Sequence, residues 1–154
     1  MGPRLAGWAR VAATTGVVVA LDQATKQLAI SSVAPGQSES VFFGLELTNA
    51  RNSGVAFGAF AGGGALVAVL IGLALLGLVG YFTANARTPY LWLPTGILLG
   101  GALGNLADRA REGAVIDFVD PAFWPAFNLA DASIVLGVLA LFYVAEGRPG
   151  RPSA

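Results

Sequence analysis

The chain is 154 residues long and 55% hydrophobic, with a mean hydropathy of +0.68 and only 12% charged residues, too little polar surface for a water-soluble domain of this size. Nine basic and nine acidic residues cancel, and no basic block offers an electrostatic footprint for nucleic acid. Cysteine and histidine are both absent, which excludes disulfides, thiol nucleophiles, imidazole bases and the commonest metal ligands, and leaves chemistry to carboxylates, hydroxyls, Lys26 and the arginines.

Four stretches are long and apolar enough to cross about 30 Å of hydrocarbon, near 11–30, 64–83, 91–107 and 127–145. Backbone groups in lipid must be satisfied internally, so each reads as a helix. The fold class is all-α membrane, with residues 1–147 as one domain of four transmembrane helices. The first stretch carries Asp22 and Lys26, which sets it apart from the uninterrupted apolar region of a cleavable signal peptide. Between the first two spans, Val41, Phe43, Leu45 and Leu47 alternate with Phe42, Gly44, Glu46 and Thr48, the period of a half-buried strand. Residues 49–54 are turn-like, and Val55-Ala56-Phe57 resumes an apolar run, so a small β element is expected on the membrane surface. The 84–90 loop is minimal. The 108–126 segment carries Phe123 and Trp124 between Pro121 and Pro125, a composition suited to an interfacial anchor. Residues 148–154 read as a disordered tail.

Arg4 and Arg10 precede the first span, Arg87 lies between the second and third, and Arg148 and Arg151 follow the fourth. By the positive-inside rule these segments are cytoplasmic, so both termini are expected inside and the 31–61 and 108–126 segments outside.

The polar residues in these apolar surroundings need explaining. Asp22 and Lys26 are four apart on one helix face, as an ion pair with Lys26 snorkelling to the headgroups, or as a brace for a catalytic loop. Asn52 and Gly54 are either turn residues or groups over which an extended peptide could lie closely. Asn105, Asp108 and Arg109 end the third span, either as a helix end in the headgroups or with the Arg109 fork holding substrate carbonyls. Asn128 and Asp131 resemble a helix cap and its first turn, where the macrodipole favours an ionised carboxylate. Asp117, in Val115-Ile116-Asp117-Phe118-Val119, has no such local reason to exist.

If Asp117 and Asp131 faced each other across a water, they would share one proton, because two like charges at close range do not both ionise cheaply. The ionised partner then takes a proton from the water, while the protonated one polarises the scissile carbonyl and later donates to the leaving amine.

The blocks Leu21-Asp22-Gln23-Ala24-Thr25-Lys26, Asn52-Ser53-Gly54-Val55-Ala56-Phe57-Gly58, Gly104-Asn105-Leu106-Ala107-Asp108-Arg109 with Val115-Ile116-Asp117-Phe118, and Phe127-Asn128-Leu129-Ala130-Asp131 occur in order against the expected spans. In them the chain resembles the lipoprotein signal peptidase (signal peptidase II) family of bacterial membrane aspartic peptidases. The resemblance implies a four-helix bundle with a small extracytoplasmic β-cradle in the bacterial plasma (inner) membrane. It implies removal of signal peptides from prolipoproteins by cleavage before a diacylglyceryl-modified cysteine, with no metal or cofactor. It maps catalysis onto Asp117 and Asp131, substrate contact onto Asn52, Gly54, Asn105, Arg109 and Asn128, and support onto Asp22, Lys26 and Asp108. The partners implied are the diacylated prolipoproteins and membrane lipids, with nothing demanding more than a monomer. The rival readings are a small four-span proton-coupled transporter, which would want its acid at the midplane and symmetry-related halves, and an assembly protein whose aspartates only cap and pair.

Overall fold

The computed structural model describes residues 2–53 and 64–147. In chain order the elements are α1 (Pro3–Ser32), β1 (Ser38–Phe42), β2 (Leu45–Asn52), α2 (Gly64–Ala84), α3 (Trp92–Glu112), β3 (Val115–Pro121) and α4 (Leu129–Glu146). The architecture is four helices with one small antiparallel sheet in the order β1-β2-β3. Gly54, the Val55-Ala56-Phe57 run and the 148–154 tail lie outside the described residues.

The helices alternate in direction. Val11 on α1, Phe82 at the end of α2 and Leu91 before α3 form a buried cluster, with Trp8, Leu141 and Val144 packed on it. The N-terminus of α1 and the C-terminus of α4 therefore share one end of the bundle, and the sheet lies at the other. Helix α3 is central, packing against α1, α4 and, less extensively, α2. Its close approach to α1 depends on missing side chains. A Cβ at Gly100 would fall 2.6 Å from the Cβ of Val18, and one at Gly104 would fall 2.5 Å from Oδ2 of Asp22. Such backbone-level packing is the kind that joins helices where apolar burial drives association little.

The outward faces are apolar. Leu28, Leu73, Leu76, Leu136, Leu139 and Phe142 are all more than half exposed, a surface that suits a hydrocarbon solvent. Among the described residues, Arg4–Ser32 and Leu129–Glu146 are long and apolar enough to cross a membrane, and Val69–Ala84 is a shorter apolar helix.

Several sequence expectations change. Helix α3 runs past residue 107 to Glu112, where Gly113 ends it at φ +72 with its N–H on the Arg109 carbonyl. The single alternating strand over 41–48 is a hairpin instead, turning at Phe43 and Gly44 (φ +68). β1 is exposed along its whole length. Asn49 to Asn52, read as a turn, continue β2, because Ala50, Arg51 and Asn52 pair with Asp117, Ile116 and Val115 of β3. Residues Val115–Pro121, within the segment expected to lie outside, form the strand β3. At the sheet's far end the Ala122 N–H donates to the Gly44 carbonyl at 2.8 Å. Phe42, Phe43, Phe123 and Trp124, flanking that bond in the chain, are all exposed.

Candidate active site

Helix α4 fixes the centre of the site. Its first backbone N–H groups need acceptors. Asn128 is the N-cap, and its Oδ1 accepts from the Asp131 N–H at 2.9 Å, while the Asp131 carboxylate accepts from the Asn128 N–H at 3.2 Å. This reciprocal box is the helix start that the sequence pattern indicated. Asp22 of α1 completes it from outside the helix, its Oδ1 accepting the Ala130 N–H at 2.9 Å.

With its carbonyl oxygen committed to the cap, Asn128 presents its amide nitrogen elsewhere. Nδ2 donates to Oδ1 of Asp117 at 2.7 Å and lies 3.2 Å from both the Ile116 carbonyl and Oδ1 of Asn105. One fully buried asparagine thus holds both carboxylates, Asp117 through its side chain and Asp131 through the capping box. The other oxygen of Asp117 accepts from Nδ2 of Asn52 at 3.0 Å. That contact follows from register, since Asn52 pairs with Val115, two residues from Asp117 on the same strand face.

Asp131 is fed from the opposite side. Lys26 is 2% exposed, so the expected snorkelling does not occur. Its three N–H donors go to Asp22 Oδ2 (2.8 Å), Asp108 Oδ2 (2.7 Å) and Asn105 Oδ1 (2.9 Å). An ammonium cannot accept, so the Asn105 oxygen must face it. The Asn105 amide is thereby turned toward Asp131, donating to Oδ1 at 2.8 Å. Asp108 also accepts from the Ile116 N–H (3.3 Å) and so ties α3 to β3 beside Asp117.

The two carboxyl groups occupy different environments. Asp117 is 3% exposed and Asp131 half-buried. Burial pushes Asp117 from 3.8 up to about 6, opposed by the Asn52 hydrogen bond, assisted by the Asp131 charge, and opposed again by the Asn128 hydrogen bond and Lys26. Arg109 is half-buried one turn beyond Asn105, its guanidinium 3.5 Å from the Asn105 carbonyl.

Sequence reasoning missed Gln23. Its Nε2 reaches Asp108 Oδ1 (2.8 Å) and Asp22 Oδ2 (3.2 Å), and its Oε1 accepts from Arg111 at 2.8 Å. The signal was its place beside Asp22 on α1. Gly104 was missed as well. Gly104→Ala should force Asp22 off Lys26 and the Ala130 N–H, lowering activity at least tenfold and stability by about 1–3 kcal/mol. Gly16→Ala, with nothing within 4 Å of the added Cβ, should leave both intact. Activity assays and thermal melts of the two variants check this. Among the described residues, no three carboxylates cluster as metal ligands.

The family described as signal peptidase (SPase) II matches residues 14–145. The lipoprotein signal peptidase of Syntrophomonas wolfei is 43% identical over 126 residues, covering 81% of this chain and 85% of that protein. That of Moorella thermoacetica is 40% identical over 142 residues, covering 88% and 93%. A solved structure described as a bacterial membrane enzyme matches with a TM-score of 0.79 at 30% identity over 94% of each chain. Fold and likeness together define a membrane enzyme of the peptidase class. The chain belongs to the signal peptidase II family, the lipoprotein signal peptidases.

Proposed function

We propose that the chain is an aspartic endopeptidase that removes the signal peptide of prolipoproteins by cutting before the diacylglyceryl-modified cysteine, with Asp117 and Asp131 as the catalytic pair. The observation that carries this reading is the convergence of both carboxylates on Asn128. Asp131, at a helix N-terminus and accepting from Asn105 and the Asn128 N–H, is the partner that takes the proton of the water. Asp117, more deeply buried, is the partner that keeps the proton. A water between them loses a proton to Asp131 as its oxygen attacks the scissile carbonyl, which Asp117 polarises. The amine leaves with a proton from the pair, and one proton remains shared.

Asn105 and Asn128 serve by orienting the carboxylates, while Asn52 and Arg109 border the same groups from β2 and α3 and face the peptide. Gly54 would give the substrate backbone room beside Asn52. Asp22, Lys26 and Asp108 form the support. The acid that a proton-coupled transporter would use, Asp22, is committed to Lys26 and the Ala130 N–H.

The reading extends to topology. All four helices cross the plasma membrane, both termini are cytoplasmic, and the site opens at the outer face with the exposed aromatics of the sheet in the lipid interface. The lipid chains of the substrate lie against the bundle from the membrane side. Residues 1–147 act as one domain, and a monomer suffices because every group holding the pair comes from one chain.

The test is cleavage of a synthetic peptide carrying the diacylglyceryl cysteine, by the purified chain in detergent. Product ending one residue before the modified cysteine is expected, and cleavage elsewhere or none at all contradicts the proposal. Chelators should leave the rate unchanged, because the chain has no histidine or cysteine to hold a metal. Loss with EDTA that a divalent ion restores would instead favour metal-assisted hydrolysis.

A further inference from the structure

At the end of the bundle remote from Asp117 and Asp131, the first turns of α1, the end of α2 and the link into α3 enclose a cleft of about 280 Å³. We infer that this cleft binds the phosphate headgroup of an anionic glycerophospholipid. The inference takes the multi-pass orientation proposed above, which sets the cleft at the cytoplasmic headgroup level.

Arg10 and Arg87 line the cleft, and no acidic residue does. Neither arginine forms an ion pair among the described residues. The Arg10 guanidinium carbon sits 5.8 Å from the centre of the Trp92 ring. At that distance the ring attracts the cation by its quadrupole, and the guanidinium N–H donors remain available for a phosphate. Helix α3 begins here without a side-chain cap, so its partial positive charge adds to the two arginines.

The walls favour a lipid over a free anion. Phe82 forms an apolar floor, and Tyr90 and Trp92 provide the amphipathic rings that collect at headgroup depth. Tyr90 holds a φ of +62, a conformation residues other than glycine seldom adopt, and its side chain is 71% exposed. Gly7 keeps the cleft open, since a Cβ there would already touch Phe82 at 3.4 Å and a larger side chain would fill the space. Basic pockets between helices on the cytoplasmic side recognise anionic headgroups by this combination of charge and shape. The cleft is separate from the active site. Arg10 and Asp22 are twelve residues apart on one helix, roughly 18 Å at 1.5 Å per residue.

The experiment uses the full chain in nanodiscs containing phosphatidylglycerol and phosphatidylcholine, followed by native mass spectrometry of the lipid retained through detergent extraction. One phosphatidylglycerol should persist on the wild type. The double variant Arg10→Gln, Arg87→Gln should hold it roughly thirtyfold more weakly, from about 1 kcal/mol per basic residue near a headgroup. Gly7→Val should lose it with the charges intact, and Arg4→Gln, outside the cleft, should retain it. All the arginine variants should cleave the diacylated peptide in detergent at the wild-type rate, so a failed lipid site and a failed peptidase reading are told apart. Equal retention of phosphatidylcholine, undiminished retention by the double variant, or displacement of the lipid by millimolar inorganic phosphate would each overturn the inference.

Discussion

Asp117→Asn and Asp131→Asn should each lower cleavage of a diacylated prolipoprotein by about 10²- to 10⁴-fold, the span of one general acid–base role. The two inactive variants should differ in stability. Asp131 accepts from the Asn105 amide and the Asn128 N–H. An asparagine there turns an N–H toward one of those donors, so Asp131→Asn should cost about 1 kcal/mol through the weakened cap. Asp117 behaves differently. Its carboxyl is pushed from 3.8 to about 6, chiefly by burial. A carboxyl whose pKa rises on folding favours the folded state in its protonated form. That contribution is full below pH 3.8 and is lost as pH rises through about 6. The gap corresponds to about 3 kcal/mol at 1.36 kcal/mol per pKa unit. Wild-type stability minus that of Asp117→Asn should therefore fall by about 2 kcal/mol between pH 4 and pH 7. Denaturation in detergent across pH, paired with single-turnover cleavage, measures both. Near-normal turnover by either variant would falsify the assignment of the pair.

Lys26→Met should be the most damaging change outside the pair. It leaves Asp22 and Asp108 buried without their cation, and removing one partner of a buried ion pair costs about 3–5 kcal/mol. Cleavage should fall with it. Without the ammonium, nothing obliges the Asn105 oxygen to face inward, and its amide can turn away from Asp131. Adding Asp108→Asn to Lys26→Met should recover part of the lost stability, because one orphaned charge is removed, but should not restore cleavage. A double variant less stable than Lys26→Met alone, by a full additive increment, would show that the two groups are not coupled as the distances indicate.

Local features were legible in the chain. The Asn128-x-x-Asp131 pattern marked a helix start, and the structure places the reciprocal cap there. The spacing of Asp22 and Lys26 marked a shared helix face, and they pair. The second and fourth apolar stretches lie close to α2 and α4. Other features left signals that went unread. Val115-Ile116 and Phe118-Val119 flank Asp117 with strand-forming residues. Gly96, Gly100 and Gly104 recur every four residues on α3. The turn-forming composition of Asn49 to Asn52 is overruled by their place in β2 and its pairing with β3.

The sequence by itself determined a chain of membrane-like composition with neither histidine nor cysteine to do its chemistry, because composition and helical period depend on residues a few positions apart. Which carboxylates meet was decided by the tertiary structure. Asp117 comes from β3 and Asp131 from α4, and both reach Asn128 because β2 sets the register of β3 and a glycine at 104 lets α3 close on α1. The orientation of each amide around them follows from an ammonium that can only donate and a helix end that needs an acceptor, constraints that exist only once the helices are packed.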